Sequence, residues 1–264
     1  MSHQALHRVS VRMLFDPELA QRVQQGEAVA GLTEQELGWL RAVDPRAWTV
    51  DHQRPARTLR ELTREFKASA ALAVGAEGRI APLSRFFQSE AFHRCVQERG
   101  SLDIAFAEHL GALGVHPGVL ALEAALARCR REDDRSPRMQ GPRGHLVRAA
   151  GVGALVVDSS TLPTLNRVEQ CLFELSLQPL FALAEDGPRL PDLPPPTQEE
   201  DHLVLQPRHG EWLPTRLGQV VCRTLVAHER PRPEQHFAAL CGLPDRVAPK
   251  LLVDLLQAGL LTRR

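Results

Sequence analysis

The chain holds 264 residues (29.3 kDa), 43% hydrophobic and 24% charged, which suits one large domain or two smaller ones around a buried core. Lys plus Arg and Asp plus Glu number 32 each, so no global positive field exists to hold nucleic acid by counterion release. With no Tyr and abundant Leu and Ala the composition favours helices, while the absence of a signal-like start or a run of about 18 apolar residues predicts a soluble, cytoplasmic protein away from membranes.

Taken in chain order, the first 131 residues read as successive helices. Asp16-Pro17-Glu18 supplies an N-cap, a first-turn proline and an acidic residue at the positive end of the dipole. Thr33 and Glu36 form a capping box, and Asp44-Pro45 repeats the cap-then-proline device ahead of Trp48. Pro55 opens a longer helix with Leu59, Leu62 and Phe66 on one face. Further helices are predicted over 84–97, 101–113 and 117–129, and short connections make the whole a helical bundle. Residues 130–144 carry mixed charge, two prolines and two glycines without an apolar period, which marks a domain boundary.

Beyond it, 145–147 and 154–158 read as a β-hairpin flanking Gly151 and Gly153, followed by a helix over 164–177 and a strand over 180–184. The prolines of 188–196 form a stiff connector. Residues 202–205 then read as a strand, Arg208-His209-Gly210 as a turn, and 211–213 as the returning strand. Three helices follow, over 215–227, over 233–242 and from about 245 to Gly259, with Val247, Leu251 and Leu255 on the buried face of the last. The reading is therefore α+β: an all-helical bundle (1–131) followed by a smaller α+β domain (145–264) containing a winged-helix-like module (202–264).

Five cysteines stand singly without CxxC spacing and read as small buried hydrophobes. The eleven histidines lack ligand spacing apart from His3 and His7, and read as surface groups. Neither a Walker loop, an HExxH, a GxGxxG nor a GxSxG is present. Metal and catalytic residues are accordingly assigned to none of the positions.

Two resemblances add to this. HLVLQPRHGEWLPTRLGQVVCRTL, a proline-bounded helix and LLVDLLQAGLL resemble the PqqD-like peptide-recognition element of ribosomal-peptide biosynthesis over roughly the last 65 residues. The stretch Leu40 to Trp48, with Asp51, Arg54, Arg57 and Leu59, resembles the partner subunits of multinuclear non-heme iron oxidases, such as those that make methanobactin and thiaglutamate-type peptides. The resemblances imply a non-catalytic accessory subunit, with iron held only by the oxidase and a precursor peptide added as a β-strand.

Site candidates follow. Glu211, Trp212 and Leu213 form the strand that receives the peptide, where Trp212 either touches ligand or anchors the strand. Lys250 and Asp254, four apart on the last helix, face the ligand. Trp48, Asp51, Arg54 and Arg57 face the partner, the Trp stacking on a guanidinium and the carboxylate fixing the Arg forks, although Trp48 equally suits a core position and Asp44 a cap. The competing reading is a winged-helix transcription regulator with a helical sensor domain, whose recognition helix offers Arg246, Lys250 and Gln257 but also Asp254. A pure assembly scaffold is the third.

Overall fold

The computed structural model describes residues 3–49, 51, 53–134, 143–175, 179–184, 189–208 and 211–264. It is mixed α+β, dominated by helices, with two three-stranded antiparallel sheets. The chain divides into two compact units, residues 1–115 with 172–190 and residues 116–171 with 191–264. Among the described residues no helix is long and apolar enough to cross a membrane.

The first unit begins with α1 (His3–Met13), α2 (Pro17–Gln24), α3 (Glu34–Ala42) and α4 (Arg46–Thr49), gathered around Val9, Met13, Leu19, Val23, Leu37 and Leu40. Their caps are those expected. Asp16 accepts from the Leu19 N–H at 3.0 Å, and Thr33 and Glu36 bond reciprocally, at 3.3 Å from the Glu36 N–H and 2.8 Å from the Thr33 N–H. Next come α5 (Arg54–Glu65), α6 (Lys67–Glu77), α7 (Ala81–Ser84), a 3-10 turn (Arg85–Gln88), α8 (Glu90–Glu98) and α9 (Leu102–Ala112). The continuous helix expected over 84–97 is broken because Ser89, in extended conformation, caps α8 by accepting from the Phe92 N–H at 3.2 Å. Small residues let α6 bury Ala68 to Val74 on all sides. Phe86 meets Phe92 and Phe106 edge-on, with centroids 5.2 and 5.1 Å away.

The second unit opens with α10 (Pro117–Asp134), β1 (His145–Arg148), β2 (Gly153–Asp158) and α11 (Thr161–Glu174). The run expected as a strand over 180–184 is instead α12 (Pro179–Ala184), which lies along α6 in the first unit. A short apolar stretch suits either state, and here burial of Leu183 against a helix decides it. The chain continues through β3 (Glu200–Arg208), β4 (Glu211–Arg216), α13 (Gln219–Ala227), β5 (Arg232–Pro233), a 3-10 turn (Glu234–His236), α14 (Phe237–Cys241), α15 (Ala248–Gln257) and β6 (Leu261–Arg263).

One sheet has the order β5-β1-β6 and the other β2-β3-β4. The hairpin expected around Gly151 is therefore absent. Buried Leu146 and Val147 draw β1 into pairing with both β5 and the terminal β6, with Val147 opposite Thr262. Gly153 lets α10 sit on β2, since a Cβ there would come 2.7 Å from Cys129 Sγ. That packing places α10 in the second unit, ahead of the boundary drawn at 130–144, of which 135–142 lie outside the described residues. Proline positions also shift two helices. Pro233 is in β5, so the helix expected from 233 is only Phe237–Cys241 plus its 3-10 turn. In α15 the buried face is Ala248, Leu252 and Leu255, and Val247, expected inside, precedes the helix and is exposed.

Candidate functional site

The β2-β3-β4 sheet ends at β4, which pairs with β3 on one side only. Which of its backbone groups face outward follows from the ladder. The Leu217 N–H donates to the His202 carbonyl at 2.9 Å, so close pairs recur at Val204–Thr215, Gln206–Leu213 and Arg208–Glu211. Trp212, Pro214 and Arg216 therefore turn their backbone groups away from β3. The alternation accommodates both prolines of the hairpin, because Pro214 lacks its N–H on the free edge and Pro207 lacks its own beyond the end of β2. The free edge thus offers two donors, from Trp212 and Arg216, and three carbonyl acceptors.

Side chains alternate accordingly. Glu211 and Leu213 are exposed and share a face, and Trp212 is half-buried on the other. The indole Nε1 of Trp212 donates to the Gly151 carbonyl at 2.9 Å, a bond that ties the strand to the loop before β2. Arg216 closes the strand by holding Asp201 at 2.9 Å through Nε. The turn residues His209 and Gly210 lie outside the described residues. Lys250 and Asp254 are both exposed on α15, with no ion pair between them among the described residues.

In the first unit the structure brings Asp51, Arg54 and Arg57 together. Asp51 Oδ2 lies 3.6 Å from Arg54 Nε and accepts a close hydrogen bond from Arg57. That bond, against a smaller opposing effect of burial, holds the Asp51 carboxyl below the usual carboxylate range. Two cations in the first turn of α5 oppose its dipole, and Asp51 just ahead of the helix offsets them. Of the two roles left open for Trp48, stacking on a guanidinium is not found among the described residues. The residue packs half-buried against the Val9–Met13–Leu37 cluster, while the Arg54 guanidinium lies over Phe15, 5.8 Å from its centroid. Asp44 serves as a local cap, accepting from the Arg46 N–H at 2.9 Å.

The sequence reading missed one polar constellation. His93, His109 and His228 are buried, not surface groups, and His116 joins Ser160 and Asp158. His, Ser and Asp in one cluster suggest a nucleophile, but the bonds run the wrong way. The Val119 N–H donates to His116 Nδ1 at 3.4 Å, so the neutral ring carries its proton on Nε2, 3.1 Å from Ser160 Oγ. Ser160 in turn donates to Asp158, which also accepts from the Thr161 hydroxyl at 3.1 Å. The imidazole is thus not placed to take the serine proton, which is directed at Asp158, and Ser160 is only 3% exposed. His116 caps α10, and Asp158, which accepts from the Ser160 N–H at 3.1 Å, lies as an anion beside the starts of α10 and α11. Gly118 is required there, since a Cβ would collide with Thr161 Oγ1. Burial tends to raise the Asp158 pKa, but the Ser160 and Thr161 bonds and His116 hold it below the ordinary carboxylate value.

Among the described residues no three His, Cys, Asp or Glu side chains are grouped to hold a metal ion. No protein-family model matches the chain, and no curated protein matches its sequence significantly.

Proposed function

We propose that the chain is a non-catalytic partner subunit that captures the leader of a ribosomally made precursor peptide and presents its cysteine-bearing region to a multinuclear non-heme iron oxidase. Iron belongs to the oxidase in this reading, and residues 202–264 act as a winged-helix-like recognition module. The observation that carries the proposal is the unpaired edge of β4, whose Trp212 and Arg216 N–H groups and three carbonyls suit an added strand. Exposed Glu211 and Leu213, with Lys250 and Asp254 of α15, supply side-chain choice where backbone pairing supplies affinity.

Two further features support it over DNA binding. The exposed face of α15 carries Pro249, Val253 and Asp254 beside Lys250 and Gln257, a poor match to a phosphate backbone. Arg57 is 63% exposed beside Asp51 and Arg54, an arrangement that suits directional contact with carboxylates of a protein partner.

Isothermal titration with precursor peptides encoded beside the gene tests the reading. Arg216→Pro removes an outward N–H, and Arg216→Ala removes only the ion pair to Asp201. The proline variant is expected to lose about tenfold in affinity relative to the alanine variant. Equal affinities in the two variants, or no saturable binding, would overturn the proposal.

A further inference from the structure

The first unit contains a cavity of about 570 Å³ between α1, α2, the 27–31 loop and the start of α8. Arg8, Val9 and Arg12 line it from one face of α1, where spacings of three and four residues superpose. Arg22 of α2 and His93 of α8 complete its basic wall, and Leu19 adds apolar surface.

This wall is unusual in its polar accounting. Arg8 Nε, Arg12 Nε and His93 Nδ1 are shut off from solvent, and none of them has a hydrogen-bond partner among the described residues. His93 is only 7% exposed. Neighbouring carboxylates do not satisfy α1, because Glu90 stands 3.9 Å from Arg8 and Asp16 stands 3.7 Å from Arg12, beyond hydrogen-bond reach. Arg22 alone reaches its carboxylate, Glu27, at 3.2 Å. Glu27 and Glu90 are exposed at the margin, 52% and 77%. The Arg8 and Arg12 side chains are 42% and 31% exposed, so their guanidinium ends remain open to the cavity while each Nε goes unused by the fold. Burial, then Arg12 and Arg8, lowers the basicity of His93, which leaves the guanidiniums as the cationic groups.

The geometry points to a binding site for a small organic carboxylate, its charged head held by Arg8, Arg12 and Arg22 and its apolar body lying along Val29 of the 27–31 loop. The volume falls in the range of small-molecule sites, roughly 300–1,000 Å³. Guanidiniums match a carboxylate geometrically as well as electrostatically.

Octanoate, octanamide and inorganic phosphate, each titrated into the full chain with amide chemical shifts as readout, test the assignment. Octanoate is expected to bind saturably, with shifts centred on α1 and residues 88–93, and octanamide and phosphate at least about tenfold more weakly. Arg12→Met keeps the apolar stem and is expected to lose about tenfold or more, whereas Arg60→Met, exposed on α5 and outside the cavity, is expected to bind as the parent. Arg22→Lys, which keeps the charge, checks the result if Arg12→Met folds poorly and is expected to retain binding within a few-fold. Absence of saturable octanoate binding, equal binding of octanamide, or parent-like affinity in folded Arg12→Met would overturn it.

Discussion

The indole of Trp212 and the carbonyl of Gly151 are joined at 2.9 Å, which fastens the edge strand β4 to the loop entering β2. Trp212→Phe keeps the ring and removes the donor, leaving the carbonyl of a buried glycine unpaired. Stability is expected to fall by about 1–2 kcal/mol in denaturant unfolding. Leader affinity is expected to stay within about twofold, because the edge binds through backbone groups. An unchanged unfolding midpoint would remove the anchoring role.

Proline at Leu213 has a different consequence from proline at Arg216. The Leu213 N–H points into the ladder toward Gln206, so Leu213→Pro breaks β3–β4 pairing itself. A loss of about 3 kcal/mol or more is expected, with faster amide exchange across β3. Native protection of β3 in that variant would mean that the Leu213 N–H lies outside the ladder.

At the Asp158 cap, replacement by Ala strips Ser160 and Thr161 of their shared acceptor and leaves two helix starts without their anion. Destabilisation of about 2 kcal/mol is expected, and Asp158→Asn should recover part of it. The folded pKa lies below the unfolded value of 3.8, so this contribution is present above about pH 4 and is lost as the pH falls through the folded pKa. Parallel pH–stability curves for parent and Asp158→Asn below pH 4 would contradict it.

Two buried histidines act in a higher pH window. His109 pairs through Nε2 with the Pro82 carbonyl at 2.8 Å, and His228 through Nδ1 with the Thr224 carbonyl at 2.7 Å. Burial lowers the basicity of both, partly opposed by those bonds. Between the unfolded value of 6.5 and the lower folded pKa the unfolded chain binds more protons, so stability falls as the pH drops below 6.5. Urea midpoints measured from pH 7.5 to 5 are expected to decline, with a shallower slope in His228→Gln. A slope identical to that of the parent would exclude His228 as a contributor.

Thiol chemistry offers a separate check. Burial pushes the Cys129 thiol up to about 11 and raises Cys222 as well. Under native conditions at neutral pH both are expected to resist alkylation and to react only on unfolding, as mass spectrometry of modified peptides would show. Rapid native labelling of Cys129 would mean that α10 opens from β2.

Local chemistry determined much of this protein from sequence alone. The Asp16 and Thr33–Glu36 caps, the helix that Pro55 starts, the strands beginning the C-terminal module and the αL glycine after Cys241 all depend on neighbours a few residues away. Asp51, Arg54 and Arg57 were legible as a cluster for the same reason, since only six positions separate the first from the last. Tertiary structure decided whatever depends on distant partners. It withdrew β1 from a local hairpin to pair with Leu261–Arg263, made 180–184 helical beside α6, turned the Trp212 indole toward Gly151 and brought His116 to Ser160 across 44 positions. The basic cavity belongs to this second kind, because His93 joins Arg8 and Arg12 only when α8 folds against α1. A cap or turn is fixed by short-range sterics and hydrogen bonds, whereas strand partners and buried polar contacts are chosen by which surfaces the whole chain can exclude from water.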